Sequence, residues 1–276
     1  MSRAVDAELL RKRSVGAPAT RSTLLTILGE YVAPGDREVY RDGLVRALEA
    51  TGYRTQAARQ ALARSVADGW LISRRVGRRA IMRVTPQTRS MLSAGYPRIY
   101  GFGEPWEWDG RWLLVVVRVA EEQRDVRDRL RTKLAWAGFG SLGGGVWISP
   151  HLDRESEVHD AVGGDEDAAV LLFSADQLGR ATDVRTTVHE AWDLNAIADQ
   201  YISFVDDFSS TTVADEREAF AAQTAMVHAW RKFPFVDPDL PDELLPDDWP
   251  RARALALFQE RHAAWQPAAE AFFTAL

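Results

Sequence analysis

Thr55–Arg83 reads TQAARQALARSVADGWLISRRVGRRAIMR, and the fold turns on it because its pattern changes period partway along. Ala58, Ala61, Leu62, Ser65 and Val66 recur at helical spacing and predict a helix buried along one edge. Gln56, Arg59, Gln60, Ala63 and Arg64 make the opposite stripe. Arginine can bridge O6 and N7 of guanine, and glutamine N6 and N7 of adenine, so such a stripe suits a major groove. Trp70–Ser73 and Ala80–Val84 then read as two strands around Arg74–Arg79, whose four arginines suit phosphates or a minor groove. Helix plus basic hairpin predicts a winged helix-turn-helix. A solvated amphipathic helix and hairpin would show the same residues; the coincidence of stripe and basic turn favours nucleic acid.

Working outward, Thr20 or Ser22 is expected to cap a helix running to Val32, which Ala33-Pro34-Gly35-Asp36 ends. Val39–Ala50 predicts a second helix, Thr51–Arg54 a tight turn with Gly52 at positive φ, and Thr55 the cap of the third. Thr85-Pro86 closes the hairpin, and Thr88–Ala94 reads as a short helix. Residues 1–19 form a polar arm, so the winged-helix unit is expected over 20–95.

Beyond it, Trp112–Val119 is too uniformly apolar for a half-exposed strand and predicts a central one. A helix over Arg124–Ala137, a glycine-rich turn into Val146–Pro150, a helix over Asp153–Ala161 and a strand over Ala168–Ser174 follow. That order predicts a small ferredoxin-like domain over 96–178. Residues 179–276 read as mostly helical, with an apolar stripe from Trp192 to Phe208, a rigid extended crossing at Phe233–Pro241 and a last helix opened by Trp249-Pro250. The fold class expected is thus multidomain α+β.

Charge divides the chain more sharply than its net −6 suggests. Residues 1–99 carry 18 Lys/Arg against 8 Asp/Glu, whereas residues 100–276 carry 16 against 32, so one part is suited to a polyanion and the other is repelled by it. The absence of cysteine excludes disulfides, thiolate metal sites and a cysteine nucleophile, and fits a cytoplasmic protein. No signal peptide and no membrane span are expected. No catalytic site, cofactor or metal is expected either. Gly138-Phe139-Gly140-Ser141-Leu142-Gly143 matches the dinucleotide motif literally but follows a helix and opens a strand, the reverse of the context that motif needs. The five histidines show no metal-ligand spacing.

Four segments carry a family resemblance: Asp68-Gly69-Trp70-Leu71 with Val76-Gly77-Arg78-Arg79, then Trp108-Asp109-Gly110-Arg111-Trp112, then FGSLGGGVWISP at Phe139–Pro150, and FPFVDPDLPDELLPDDWP at Phe233–Pro250. In this order they resemble the PaaX family, repressors of phenylacetic acid catabolism and related pathways. The resemblance implies a winged-helix N-terminus, a middle domain like the small CRISPR-associated nucleases and a helical C-terminus. It further implies a homodimer on a palindromic double-stranded operator, released by an aryl-CoA or acyl-CoA effector. Where the nuclease relatives carry a metal-binding aspartate at the end of the first strand, this chain has Arg118, which cannot ligate a divalent metal. A metal-dependent nuclease is therefore the second reading.

The DNA-contacting residues expected are Arg59, Gln60 and Arg64 with Gln56 on bases, and Arg54, Arg75, Arg78 and Arg79 on phosphates, with Thr55 at the helix start. His228, Trp230, Arg231 and Lys232 mix aromatic surface with cations, as an aryl-CoA pocket would. The same four also fit a helix end with Trp230 in the core and cations facing the C-terminal dipole.

Overall fold

The computed structural model describes residues 19–162, 168–176 and 183–276. The expected arm at 1–19, Ala19 excepted, and the expected boundary at 178–179 lie outside the described residues. Two compact units emerge: residues 1–101 with 204–232 and 255–276, and residues 102–203 with 233–254. The segment expected as one helical region, 179–276, is shared between them.

In the first unit, α1 spans Thr20–Ile27 and continues as a π-helical turn, Leu28–Val32. Its N-cap is Ala19, so neither Thr20 nor Ser22 caps it. Val39–Tyr40, expected as helix, is instead a two-residue strand, β1, and α2 begins at Arg41 and ends at Ala50. Extended backbone there lets Val39 and Tyr40 pair with Met82 and Ile81 of β3 (Arg79–Val84). Strand β2 (Leu71–Val76) pairs with β3 from Leu71↔Val84 to Val76↔Arg79, giving an antiparallel sheet ordered β1-β3-β2. The hairpin turn is therefore only Gly77-Arg78, and Arg74, Arg75 and Arg79 lie in strands rather than on its tip. Helix α3 is Thr55–Ala67.

Thr85 caps α4 through its hydroxyl, with Pro86 at the first helical position. This helix runs to Tyr100, past Gly95 and Pro97, where the sequence predicted a stop at Gly95. The later helices α9 (Glu216–Trp230) and α11 (Arg251–Thr274, from Leu255 on) complete this unit's core. Tyr31, 1% exposed, is 4.9 Å from the ring of Phe220 and stacks at 5.1 Å on Phe273. Leu24, Ile27, Leu28, Leu44, Leu48, Ala58 and Leu62 share that cluster.

In the second unit, β4 (Arg111–Val119), β5 (Gly140–Gly143), β6 (Val146–Ser149) and β7 (Ala168–Asp176) form an antiparallel sheet ordered β5-β6-β4-β7. Helices α5 (Arg124–Trp136) and α6 (Glu155–Val162) follow β4 and β6. Leu113, Val115, Leu134, Phe139, Trp147 and Val158 make its core. Gly138, at φ +84, ends α5: Phe139 N–H bonds Leu134 O and Gly138 N–H bonds Ala135 O, a Schellman stop. The glycine run thus stops a helix and opens a strand. Helices α7 (Val184–Ala191) and α8 (Leu194–Ser209) come next.

Phe233–Pro241, expected as an extended crossing, opens with a four-residue helix, α10 (Phe233–Val236), and then turns at Asp239, φ +58. Arg251, 2% exposed, organises that turn: it bonds Asp239 at 3.1 Å, Asp242 at 2.8 Å and Leu240 O at 2.9 Å. Asp237 is buried, accepts from Tyr201 at 2.5 Å, and burial pushes its carboxyl above the usual range.

The Tyr31–Phe220–Phe273 cluster predicts that Phe220→Ala, emptying a fully buried ring, destabilises the first unit by about 3–5 kcal/mol. Urea unfolding of the variant against the parent protein measures this.

Candidate nucleic-acid interface

Helix α3 owes its orientation to its two ends. At its start Gly52 holds φ +92, and Tyr53 N–H bonds Leu48 O while Gly52 N–H bonds Glu49 O, so α2 stops sharply and the chain re-enters a helix at Thr55. Arg54, not Thr55, is the N-cap, with no side-chain cap; the Thr55 hydroxyl instead donates to Glu49 at 2.5 Å. At its end Gly69 holds φ +72 and Trp70 N–H bonds Ser65 O. Asp68 pairs with Arg21 at 2.5 Å, and that guanidinium lies 3.8 Å above the Trp70 ring. The Thr85 hydroxyl donates to Gly69 O at 2.9 Å. The Asp-Gly-Trp stretch therefore ties α3, the hairpin and α1 together, which spacing alone did not reveal.

Between these anchors Ala58, Ala61, Leu62 and Ser65 are buried, and Gln56, Arg59, Gln60, Ala63 and Arg64 are all exposed. The side chains of Arg59, Arg64, Gln56 and Gln60 have no hydrogen-bond or ion-pair partner among the described residues. Arg54 and Arg78 are likewise exposed and unpaired. Arg75 donates to Gly77 O at 3.1 Å, across the hairpin turn, and Arg79 lies 5.1 Å over the ring of Tyr40. Arg74, by contrast, is engaged by Glu38 at 3.1 Å. Asp36, at φ +47 in the turn after α1, accepts from Arg83 of β3 and Arg89 of α4. Those bonds, that from Arg83 foremost, hold its carboxyl below the ordinary carboxylate range. Hairpin and α4 are thus both clamped to one turn.

The four effector residues are placed differently. Trp230 is fully buried, stacks on Phe258 at 4.7 Å and donates to Ile99 O at 3.0 Å. His228 bonds the Thr26 hydroxyl at 2.9 Å, and Arg231, 8% exposed, donates to Ser22 O and Oγ at 3.1 and 2.7 Å. Burial, then the charges of Arg231 and Lys232, lowers His228 to about 3, and burial lowers Arg231 to about 10. Lys232 is exposed. His228 and Arg231 therefore pin the end of α9 to α1, and Trp230 ties it to α4 and α11 from the core, where the sequence also allowed it.

Among the described residues no group of three acidic or histidine side chains is placed to hold a metal ion, and no helix is long and apolar enough to cross a membrane. Arg118 lies exposed near the end of β4, paired in register with Ala169.

The Arg/Gln face of α3 thus lies exposed beside a basic hairpin, and similarity to known proteins gives the family. Residues 19–88 match the model of the PaaX-like protein, 105–187 that of the PaaX protein central Cas2-like domain, and 192–275 that of the PaaX-like protein C-terminal domain. The chain belongs to the PaaX family, whose named relative is a transcriptional regulator and not an enzyme. That relative, the transcriptional repressor PaaX of Escherichia coli strain K12, is 29% identical over 270 residues, spanning 92% of this chain and 83% of its own. A solved structure of an uncharacterized Mycobacterium tuberculosis protein is 24% identical, with a TM-score of 0.63, and covers 92% of this chain and 98% of that one; it shows the fold.

His228 gives a pH prediction. Its folded value lies below the ordinary one, so between pH 6.5 and about 3 the unfolded chain binds a proton that the folded chain refuses. Stability must fall as pH falls through that window. His151, lowered to about 4 chiefly by burial, adds to the same slope. His228→Gln is expected to flatten the fall between pH 6.5 and 4, read as urea midpoints against pH.

Proposed function

We propose that this protein is a DNA-binding transcriptional repressor whose first unit carries a winged helix-turn-helix, with α3 as recognition helix and β2–β3 as the wing. The observation that carries the reading is the exposed face of Gln56, Arg59, Gln60 and Arg64, unpaired among the described residues and set between two fixed helix ends. Arg59, Gln60 and Arg64, with Gln56 beside them, read base edges. Arg54, Arg75, Arg78 and Arg79, with Thr55 at the helix start, hold the phosphate backbone. In the second unit, the order β-α-β-β-α-β with sheet order β5-β6-β4-β7 supports a ferredoxin-like domain.

The protein acts in the cytoplasm as a homodimer, setting two recognition helices into successive major grooves of a palindromic operator, about one helical turn apart. An aryl-CoA or acyl-CoA thioester releases it, and to do so must bind the DNA-free geometry more tightly than the DNA-bound one. The burial of His228, Trp230 and Arg231 favours another place for the CoA phosphates than that cluster. A groove of about 640 Å³ lined by Arg118, Arg127, Arg131 and Gly143–Gly145 supplies cations instead. Metal-dependent cleavage is the weaker reading, because Arg118 occupies the position where it would need a carboxylate.

Operator sequences selected by the protein from a random duplex library provide the substrate for the test. Arg59→Ala with Arg64→Ala is expected to abolish preference for the selected site over scrambled competitor in a mobility shift. The fold should stay within about 0.5 kcal/mol, since neither side chain has a partner to lose. Undiminished preference in the double variant rejects the assignment.

Arg78→Ala with Arg79→Ala should behave differently, weakening all sequences alike. The slope of log affinity against log salt should become shallower by about 2. Fluorescence anisotropy across a salt series measures it.

A further inference from the structure

The first unit carries an open cavity of about 620 Å³ at its surface that no part of the DNA-binding argument uses. Its walls come from the π-helical turn of α1, the turn after it, α4 and α11. A π turn inside a helix is rare and recurs at functional sites. The volume falls in the range of small-molecule sites.

The chemistry of the walls is one-sided. Leu92, Pro34 and the rings of Tyr96 and Tyr100, stacked at 4.2 Å, give an apolar, aromatic surface. Its charged groups are two carboxylates, Glu30 and Glu270, against one arginine, with His262 and Gln266 beside them. Glu30, whose side chain is 8% exposed, accepts from the Tyr100 hydroxyl and, at 3.2 Å, from His262 Nε2, and a carboxylate with two oxygens has room for a further donor. Burial, then the Glu30 charge, raises the Tyr100 phenol, so it stays a neutral donor. Pro97 brings no N–H to the carbonyl of Ser93 four residues earlier, leaving an acceptor without its usual helical donor at the cavity wall. The one arginine in the lining, Arg37, is paired with Glu270. A phosphate or carboxylate would meet two carboxylates here and no uncommitted arginine.

We propose that this cavity is a binding site for a small aromatic amine, its ammonium at Glu30 and its ring against Tyr96 and Tyr100. Occupancy reaches the hairpin through the turn that forms one wall: Pro34 and Gly35 line the cavity, and Asp36, the next residue, clamps Arg83 of β3 and Arg89 of α4. Binding therefore changes operator affinity. The coupling rests on the DNA-binding reading above; the site itself does not.

Benzylamine is the probe, benzoate its anionic counterpart, and the full-length protein the receptor. Saturation-transfer NMR without DNA is expected to show saturable benzylamine binding and none by benzoate. Glu30→Gln should weaken it at least tenfold. Ser93→Trp, an exposed lining position whose substitution fills the space without touching the core, should remove it. With the selected operator present, saturating benzylamine should shift operator affinity at least fivefold in the parent protein and not in Ser93→Trp. Equal binding of benzoate, or benzylamine binding that survives Ser93→Trp, overturns the site. Binding that leaves operator affinity unchanged overturns the coupling. A protein that binds benzylamine as described but prefers no DNA sequence overturns the repressor reading and leaves the site standing.

Discussion

The Tyr31 ring, packed against both Phe220 and Phe273, is the contact on which the first unit depends. A three-helix unit with a hairpin is small, and small units bury too little apolar surface to be comfortably stable alone. Here α1 gains a second set of partners from far along the chain. Thr26 and His228, 202 positions apart, share a buried hydrogen bond, and Arg231 reaches back to Ser22. Distant sequence thus supplies both the core and the polar pins of the unit that presents α3.

Those pins are costly groups to bury. Arg231 and His228 lie side by side in the interior, and burial lowers the proton affinity of both. Neutral imidazole can bond the Thr26 hydroxyl without adding a charge, whereas Arg231 stays cationic and takes two oxygens of Ser22. Both of those bonds come from one terminal nitrogen, and the buried Nε of Arg231 has no hydrogen-bond partner among the described residues, which adds to the cost of burying the charge. The arginines of α3 are the reverse, exposed and without a partner among the described residues.

How much of this was legible depends on how local each feature is. The faces of α3 follow the sequence pattern, with Val66 half-buried at the margin of the inner edge, because a 3.6-residue period sorts Ala58 from Arg59 without any knowledge of the neighbours. Gly52 and the glycine run opening at Gly138 likewise announced helix ends through a backbone angle that only glycine adopts readily. By contrast, β1 is two residues long and exists only because β3 lies beside it, so Val39-Tyr40 looked like the start of a helix. Gly95 and Pro97 argued for a stop that α4 passes through. His228 and Arg231 looked like a ligand site because polar residues at a helix end usually face water; Gln223 and Thr224, buried on the same helix, were the sign that this one is surrounded.

The arrangement also constrains how a signal can reach the DNA. Only a ligand with different affinity for two geometries can shift binding. Asp36 is the point where this requirement becomes structural, since a single carboxylate in a left-handed turn holds β3 through Arg83 and α4 through Arg89. Moving that turn must strain one bond or the other. The hairpin arginines then shift relative to α3, whose ends are fixed independently by Gly52 and by the Asp68–Arg21–Trp70 contact. The base-reading and backbone-holding groups of the proposed interface are therefore anchored at different places. On the proposed reading, Asp36 is thus the place where a ligand-driven shift of the turn acts on the hairpin arginines and not on the ends of α3.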